Sequence, residues 1–105
     1  MDVYRSALQK LADALEQVGE TSFATIVRDK SNEEDTTLTA FLVSNELWGG
    51  AGSIADQAGI GGREAKRVVE KAMIELGELQ LKGGITNVRT KMWTSVFIEW
   101  KLKGI

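Results

Sequence analysis

The sequence predicts an all-α protein: a compact single-domain bundle of four to five helices with a glycine-rich central turn. Apolar residues recur at spacings of three and four along most of the chain, which is the period of an amphipathic helix. Pairs of glycines separate these stretches and indicate turns rather than a flexible linker. A chain of 105 residues can bury one core, so we expect residues 1–105 to form a single domain.

Two helices are predicted in the first third of the chain. Residues 3–18 place their apolar side chains on one face, and Gly19 then supplies a stop. Thr21 or Ser22 can cap a shorter helix. The residues expected to face inward from this second helix are Phe23, Ile26 and Val27.

A third helix is predicted to start at Ser31, because a hydroxyl there and Glu34 three residues on match the capping-box pattern. We expect it to end where Gly49 and Gly50 can adopt the positive φ that other residues resist. Its expected inner face consists of Leu38, Phe41, Leu42, Asn45 and either Leu47 or Trp48.

In the second half of the chain, the sequence predicts one short helix and two long helices. Ser53 and Asp56 carry a weaker capping signal for a short helical turn through Ala58, and a second glycine cluster follows at residues 59–62. Residues 63–82 have the strongest helical periodicity in the chain. Residues 86–103 also have helical spacing, with Val88 and Met92 among the apolar positions. Residues 95–100 have the composition of a strand as well, and helix is favoured there.

The amino-acid composition excludes several classes of catalytic and metal-binding site. The chain has no Cys and no His, so it lacks a thiolate nucleophile, Cys-based metal sites and the commonest zinc ligand. We therefore predict a protein that is not an enzyme and has no catalytic residues, cofactor or metal. The N-terminus has no signal-peptide pattern, and the longest apolar run, residues 40–43, is far too short for a bilayer. The expectation is a cytoplasmic protein that does not contact membranes.

Carboxylates at two places could perform acid–base chemistry if their pKa values were driven apart. Glu46 and Asp56 flank the glycine-rich turn, and Glu33, Glu34 and Asp35 are consecutive. The favoured interpretation is structural in both cases. Acidic residues stabilise the first turn of a helix, and Asp56 can act in a local cap.

The glycine-rich turn is the candidate ligand site. Free amides before a helix attract anions, so Trp48, Gly49, Gly50, Gly52, Ser53 and Asp56 are its candidate ligand-binding residues. The segment lacks the lysine and the preceding strand of a phosphate-binding loop. We therefore favour a tight turn between helices, with Trp48 packed over it and Ser53 as the N-cap.

The segment Leu47-Trp48-Gly49-Gly50-x-Gly52-Ser53-x-x-Asp56 resembles a pattern in small bacterial proteins of unassigned function. Some of those proteins look like immunity partners of polymorphic toxins. The resemblance covers ten residues and a helix-rich layout, and it transfers no catalytic residue. It implies a protein-binding role, with a toxin as one kind of partner.

Aromatic residues near the C-terminus allow a nucleic-acid alternative. Trp93, Phe97 and Trp100 with neighbouring lysines could stack on bases and contact phosphates. The net charge of −2 opposes this, and the aromatic residues share a stripe that a core would use. Core packing is favoured, and no nucleic-acid partner is expected.

Charge is distributed unevenly along the chain. Residues 1–60 carry four basic and ten acidic groups, whereas residues 61–105 carry nine basic and five acidic groups. The two parts of the chain therefore carry opposite net charges. Such a charge distribution can steer an oppositely charged partner towards the protein or favour a homodimer. We therefore predict a protein-interaction module, with an immunity-type role as its specific form and anion binding by residues 49–53 as the alternative. The candidate interaction residues are Glu33, Glu34, Asp35, Arg63, Lys66 and Arg67.

Overall fold

A computed structural model describes residues 1–58 and 62–105 and is built from α-helices joined by short turns. The described helices are α1 (Asp2–Gln17), α2 (Thr21–Ser31), α3 (Asp35–Leu42), α4 (Ile54–Ala58), α5 (Arg63–Gly83) and α6 (Thr90–Lys103). The all-α prediction is confirmed, and residues 95–100 are helical. Counting the short α4, which the sequence also predicted, the described residues form six helices, where a bundle of four to five was predicted. Gly59, Ile60 and Gly61 of the second glycine cluster lie outside the described residues.

Helix α5 is the centre of the fold, because it packs against α1, α4 and α6. α1 runs antiparallel to it: the Tyr4 hydroxyl donates a 3.2 Å hydrogen bond to the Leu79 carbonyl, and Lys10 lies 3.8 Å from Glu75. Burial of the apolar faces of these helices stabilises the fold at roughly 25 cal/mol per Å². The largest fully buried side chains include Trp48, Phe97, Leu8, Leu11, Leu38 and Met73. Within the described residues, no helix is both long and apolar enough to cross a bilayer.

The start of the third helix differs from the prediction. Ser31 is the last residue of α2, and its hydroxyl donates to the Arg28 carbonyl at 2.6 Å instead of capping a new helix. Glu34 is the N-cap of α3 and has no side-chain cap hydrogen bond. The capping-box prediction was therefore wrong. The Arg5 guanidinium binds the carbonyl oxygens of Ser31 and Glu33, and this contact from α1 holds the connection as a turn.

The end of the third helix also differs, because α3 stops at Leu42 and turns follow it up to the glycine-rich segment. Neither Gly49 nor Gly50 is among the described glycines with positive φ, whereas Gly52 has φ +86°. The prediction of positive φ at Gly49 or Gly50 was wrong. Gly49 is needed for a different reason: a Cβ there would overlap the carbonyl oxygen of Asn45. Close backbone approach, not left-handed geometry, favours glycine at this position.

Helix α6 begins at Thr90 rather than Thr86, and Asn87 accounts for the shift. Its side-chain oxygen accepts hydrogen bonds from the amides of Arg89 and Thr90 at 2.8 and 3.1 Å. Its side-chain nitrogen donates to three carbonyls of the segment after α3, those of Val43, Ser44 and Trp48. Asn87 therefore starts α6 and ties it to the central turn.

Candidate interaction site

The glycine-rich turn rests on a polar contact inside the core. Trp48 is fully buried, and its indole nitrogen donates to the side-chain oxygen of Gln80 at 2.8 Å. The Gln80 nitrogen donates in turn to the carbonyls of Leu42 and Ile85, each at 2.8 Å. The predicted packing role of Trp48 agrees with this geometry. Its candidate role in ligand binding does not, because the buried indole cannot reach a molecule at the surface.

The turn uses most of its own amides. The Gly52 amide donates to the Asp56 carboxylate at 3.0 Å, and the Asp56 amide donates to the Ser53 hydroxyl at 3.1 Å. The amides of Ser53, Ile54 and Ala55 donate to the carbonyls of Gly50, Glu46 and Leu47. The Ser53 hydroxyl thus caps α4, as the sequence predicted, and the Asp56 carboxylate binds the Gly52 amide just before that cap. The amides of residues 49–51 remain available to bind an external anion, but Gly49 is itself buried.

The aromatic residues of α6 pack against each other and against the turn. The ring centroids of Trp93 and Phe97 are 5.5 Å apart, and those of Phe97 and Trp100 are 5.8 Å apart. Phe97 is fully buried, and the Trp93 indole nitrogen donates to the Gly49 carbonyl at 2.9 Å. These contacts are those of a core, as the sequence analysis favoured, and they leave the ring of Phe97 no access to a base.

The predicted acidic and basic interaction residues do not form one surface. Asp35 pairs with Arg5 at 2.8 Å, at the end of α1 that lies beside the C-terminal part of α5. The acidic neighbours Glu33 and Glu34 are exposed there. Arg63, Lys66 and Arg67 lie in the first turns of α5, at the opposite end of a helix of 21 residues. At 1.5 Å per residue, the two groups are separated by most of the roughly 30 Å length of α5.

Two of the predicted basic interaction residues, Lys66 and Arg67, bind other groups of the same chain. The Arg67 guanidinium forms an ion pair with Glu70 and donates to the carbonyls of Trp100 and Ile105 at 3.2 and 2.8 Å. The Lys66 ammonium lies 4.1 Å from the ring centroid of Trp100, a cation–π distance. Arg67 and Lys66 therefore hold the end of α6 against α5. Arg63 is exposed in the first turn of α5.

Glu70 is buried in the structure, although acidic residues of a helix normally face solvent. Its side chain is only 1% exposed, and within the described residues Oε2 has no hydrogen-bond partner. Arg67, three residues earlier, supplies the positive charge that makes burial of this carboxylate tolerable. Arg67 and Glu70 are three residues apart in the sequence. Ion pairs on the surface of a helix have the same spacing, so the sequence alone did not indicate that Glu70 is buried.

Apolar side chains are exposed along the outer face of α6, which we define as Met92, Ser95, Glu99 and Leu102 together with Val88 in the turn before the helix. Val88 is 93% exposed, Met92 46% and Leu102 82%. The opposite side of α6 carries the buried residues Thr90, Thr94 and Phe97. Val88 and Met92 are two of the apolar positions at helical spacing in the predicted helix of residues 86–103. The structure therefore leaves an apolar surface on the side of α6 opposite its packed residues.

The charges around this outer face are mainly positive. Lys91, Lys101 and Lys103 are exposed on α6, and Glu99 is the one acidic residue of that helix. Lys103 donates to Glu99 at 2.8 Å, which neutralises one of the three lysines. Lys91 and Lys103 border the face, whereas Lys101 follows the packed side of the helix.

No protein-family model matches the chain, and no curated protein and no solved structure matches it with statistical significance.

Proposed function

We propose that this protein is a non-enzymatic protein-interaction module that binds its partner through the outer face of α6. The observation that carries this proposal is the exposure of Met92 and Leu102 on α6, whose opposite side is already packed, and of Val88 in the turn just before it. Exposed apolar side chains beside an already packed helix mark a surface that a partner can cover. Burying these three side chains against a partner would remove apolar area from water and favour association.

The charge of the face defines the partner's chemistry. Lysines border the apolar residues of α6, so a complementary surface has an apolar strip flanked by carboxylates. Complementary charge accelerates association and disfavours basic competitors. The partner we propose is therefore a protein with an acidic binding surface.

An immunity-type role is the specific form of this function that we propose to test first. In this role the protein binds and neutralises a toxin, in the bacterial cytoplasm. The resemblance of the segment around Trp48 to small bacterial proteins supports it, and so does the commitment of polar side chains such as Asp56 and Gln80 to internal contacts. A toxin whose substrate is nucleic acid would present a basic active site, so the contacted acidic surface would lie outside that site.

The test is co-expression with the products of adjacent reading frames, followed by titration of the purified pair. A reading frame that is toxic alone should become harmless when this protein is present. Val88→Asp and Leu102→Asp should each weaken binding at least about tenfold, because each buries a charge against the apolar strip. Thermal unfolding should be nearly unchanged, since both side chains are exposed.

Val3→Asp is the matched control, because Val3 is an exposed valine on α1, away from α6. It introduces the same charge and should leave the affinity for the partner unchanged. If no adjacent product is bound or neutralised, the immunity role is wrong. If a partner binds equally well to Val88→Asp, Leu102→Asp and the control, the assignment to α6 is wrong.

A further inference from the structure

The end of α6 is the part of the outer face that the core supports least. Phe97 is the last buried residue of the helix, and the side chains of residues 101–105 are all exposed. Leu102, which is 82% exposed, lies in this stretch. A helix end without buried side chains frays readily, because its last carbonyls have no partners within the helix. The position of Leu102 therefore depends on contacts made from outside α6.

Arg67 of α5 supplies such contacts. Its Nη2 donates to the carbonyls of Trp100 and Ile105 at 3.2 and 2.8 Å, one on each side of Leu102 in the sequence. The Trp100 carbonyl also accepts from the Ile105 amide at 3.0 Å, so the guanidinium joins the bonds that close the final turn. A cation is favourable at this end of a helix, where the dipole is negative. Arg67 therefore caps α6 from a neighbouring helix.

Glu70 holds the same guanidinium from the other side. Its Oε1 accepts from Nη1 of Arg67, which leaves Nη2 for the two carbonyls. The Glu70 side chain is 1% exposed, and Oε2 has no hydrogen-bond partner in the part of the chain that the structure describes. Burying such a group costs stability, and an apolar pair of similar volume is often at least as stable as a buried ion pair. Stability alone therefore does not account for a carboxylate here, whereas the planar guanidinium gains a fixed orientation from it.

We propose that Glu70 is a positioning residue for the interaction surface: it orients Arg67, and Arg67 holds the end of α6 so that Leu102 is presented in one place. This inference deepens the proposed interaction function and rests on it. A partner that meets an ordered Leu102 loses less conformational entropy on binding than one that must first order a frayed helix end. The buried ion pair thus acts on affinity rather than on the stability of the fold.

The double variant Arg67→Met/Glu70→Leu tests this role, because it replaces the ion pair with apolar side chains of similar size. Its urea midpoint should equal or exceed that of the parent, since no buried charge is left without its partner. Hydrogen exchange at the amides of residues 102–105 should accelerate at least about fivefold. The affinity for the neutralised product of the adjacent reading frame should also fall at least about fivefold. Glu70→Gln keeps an oxygen acceptor for Arg67 and should retain the exchange rates of the parent.

Lys71→Met/Glu75→Leu is the matched control, since it removes one cation and one carboxylate from exposed positions of α5 on the side towards α1. It should change neither the exchange at residues 102–105 nor the affinity. Parent-like exchange or parent-like affinity in Arg67→Met/Glu70→Leu overturns the proposal. So does a fall in its urea midpoint as large as that of Arg67→Ala, because the pair would then act through stability. Exchange and unfolding are measured on the protein alone, so failure of the positioning role is distinguishable from failure to find any partner.

Discussion

The indole nitrogen of Trp48 donates a 2.8 Å hydrogen bond to the side-chain oxygen of Gln80, and both side chains are fully buried. Gln80 also donates to the carbonyls of Leu42 and Ile85. One side chain on α5 thus connects the end of α3, the glycine-rich turn and the turn after α5. In the low dielectric of the core, such a fully bonded network specifies one position for the turn.

Gln80→Leu should lower the free energy of unfolding by about 2 kcal/mol or more. The substitution removes three hydrogen bonds and leaves the Trp48 indole N–H buried without an acceptor, which costs about 1–3 kcal/mol by itself. Urea unfolding followed by circular dichroism measures the change. Gln9→Leu is the control, because Gln9 is exposed on α1 and should shift the midpoint little. Equal midpoints for the two variants would contradict the role of Gln80.

The glycines of the central turn should differ in their tolerance of alanine. Gly49→Ala should be the most damaging, by about 1–3 kcal/mol, because the new Cβ would overlap the Asn45 carbonyl oxygen. Gly52→Ala should cost on the order of 1 kcal/mol, owing to its φ of +86°. Gly50→Ala should be nearly silent, since its Cβ would meet only the exposed, flexible Arg89 side chain. Denaturant midpoints in a different order would show that the turn is not held as described.

Contact between α5 and α6 depends on a glycine at position 77. A Cβ there would overlap the Thr94 hydroxyl, so Gly77→Ala should push the helices apart and cost roughly 1–3 kcal/mol. Thr94→Ala removes the overlapping oxygen, and the double variant should recover part of the loss. A double-mutant cycle of unfolding free energies measures this coupling. Strictly additive effects would argue against the contact.

Arg67→Ala should destabilise the protein by about 2 kcal/mol or more, because it leaves the buried Glu70 carboxylate without its counter-charge. It also removes the bonds to the carbonyls of Trp100 and Ile105, so amide exchange at the end of α6 should accelerate. Arg63→Ala, at an exposed position of the same helix, is the control and should change stability by less than about 0.5 kcal/mol. Similar losses in both variants would refute a special role for Arg67.

The Lys103 side chain holds the pKa of Glu99 below its ordinary value, first by a 2.8 Å hydrogen bond and second by its charge. Because the folded-state pKa is depressed, the pair's small contribution to stability is present above the ordinary pKa of Glu99. It is lost as the pH falls through the depressed value. Carboxyl chemical shifts in an NMR titration should show Glu99 protonating at higher pH in Lys103→Ala than in the parent. An unchanged titration would mean that the pair does not form in solution.

Local sequence rules determined the helical class and much of the helix layout. The spacing of apolar residues along α1 and α5 predicted both helices to within a residue or two, because backbone hydrogen bonds and side-chain contacts within a helix link residues three and four apart. The Ser53 and Asp56 cap was predictable for the same reason. The absence of Cys and His restricted the possible chemistry before any geometry was known.

Only the tertiary structure decided which surfaces are free. Arg5 and Asn87 reach distant carbonyls and thereby fix the starts of α3 and α6, and these contacts leave no periodic trace in the sequence. Glu70 has the sequence context of a solvent-facing ion pair, yet α5 and its neighbours bury it. The stripe of Trp93, Phe97 and Trp100 predicted the inward side of α6, but helical spacing did not indicate that Met92 and Leu102 would stay exposed. The fit of Thr94 against Gly77 sets the side of α6 that packs, and it turns Met92 and Leu102 towards solvent.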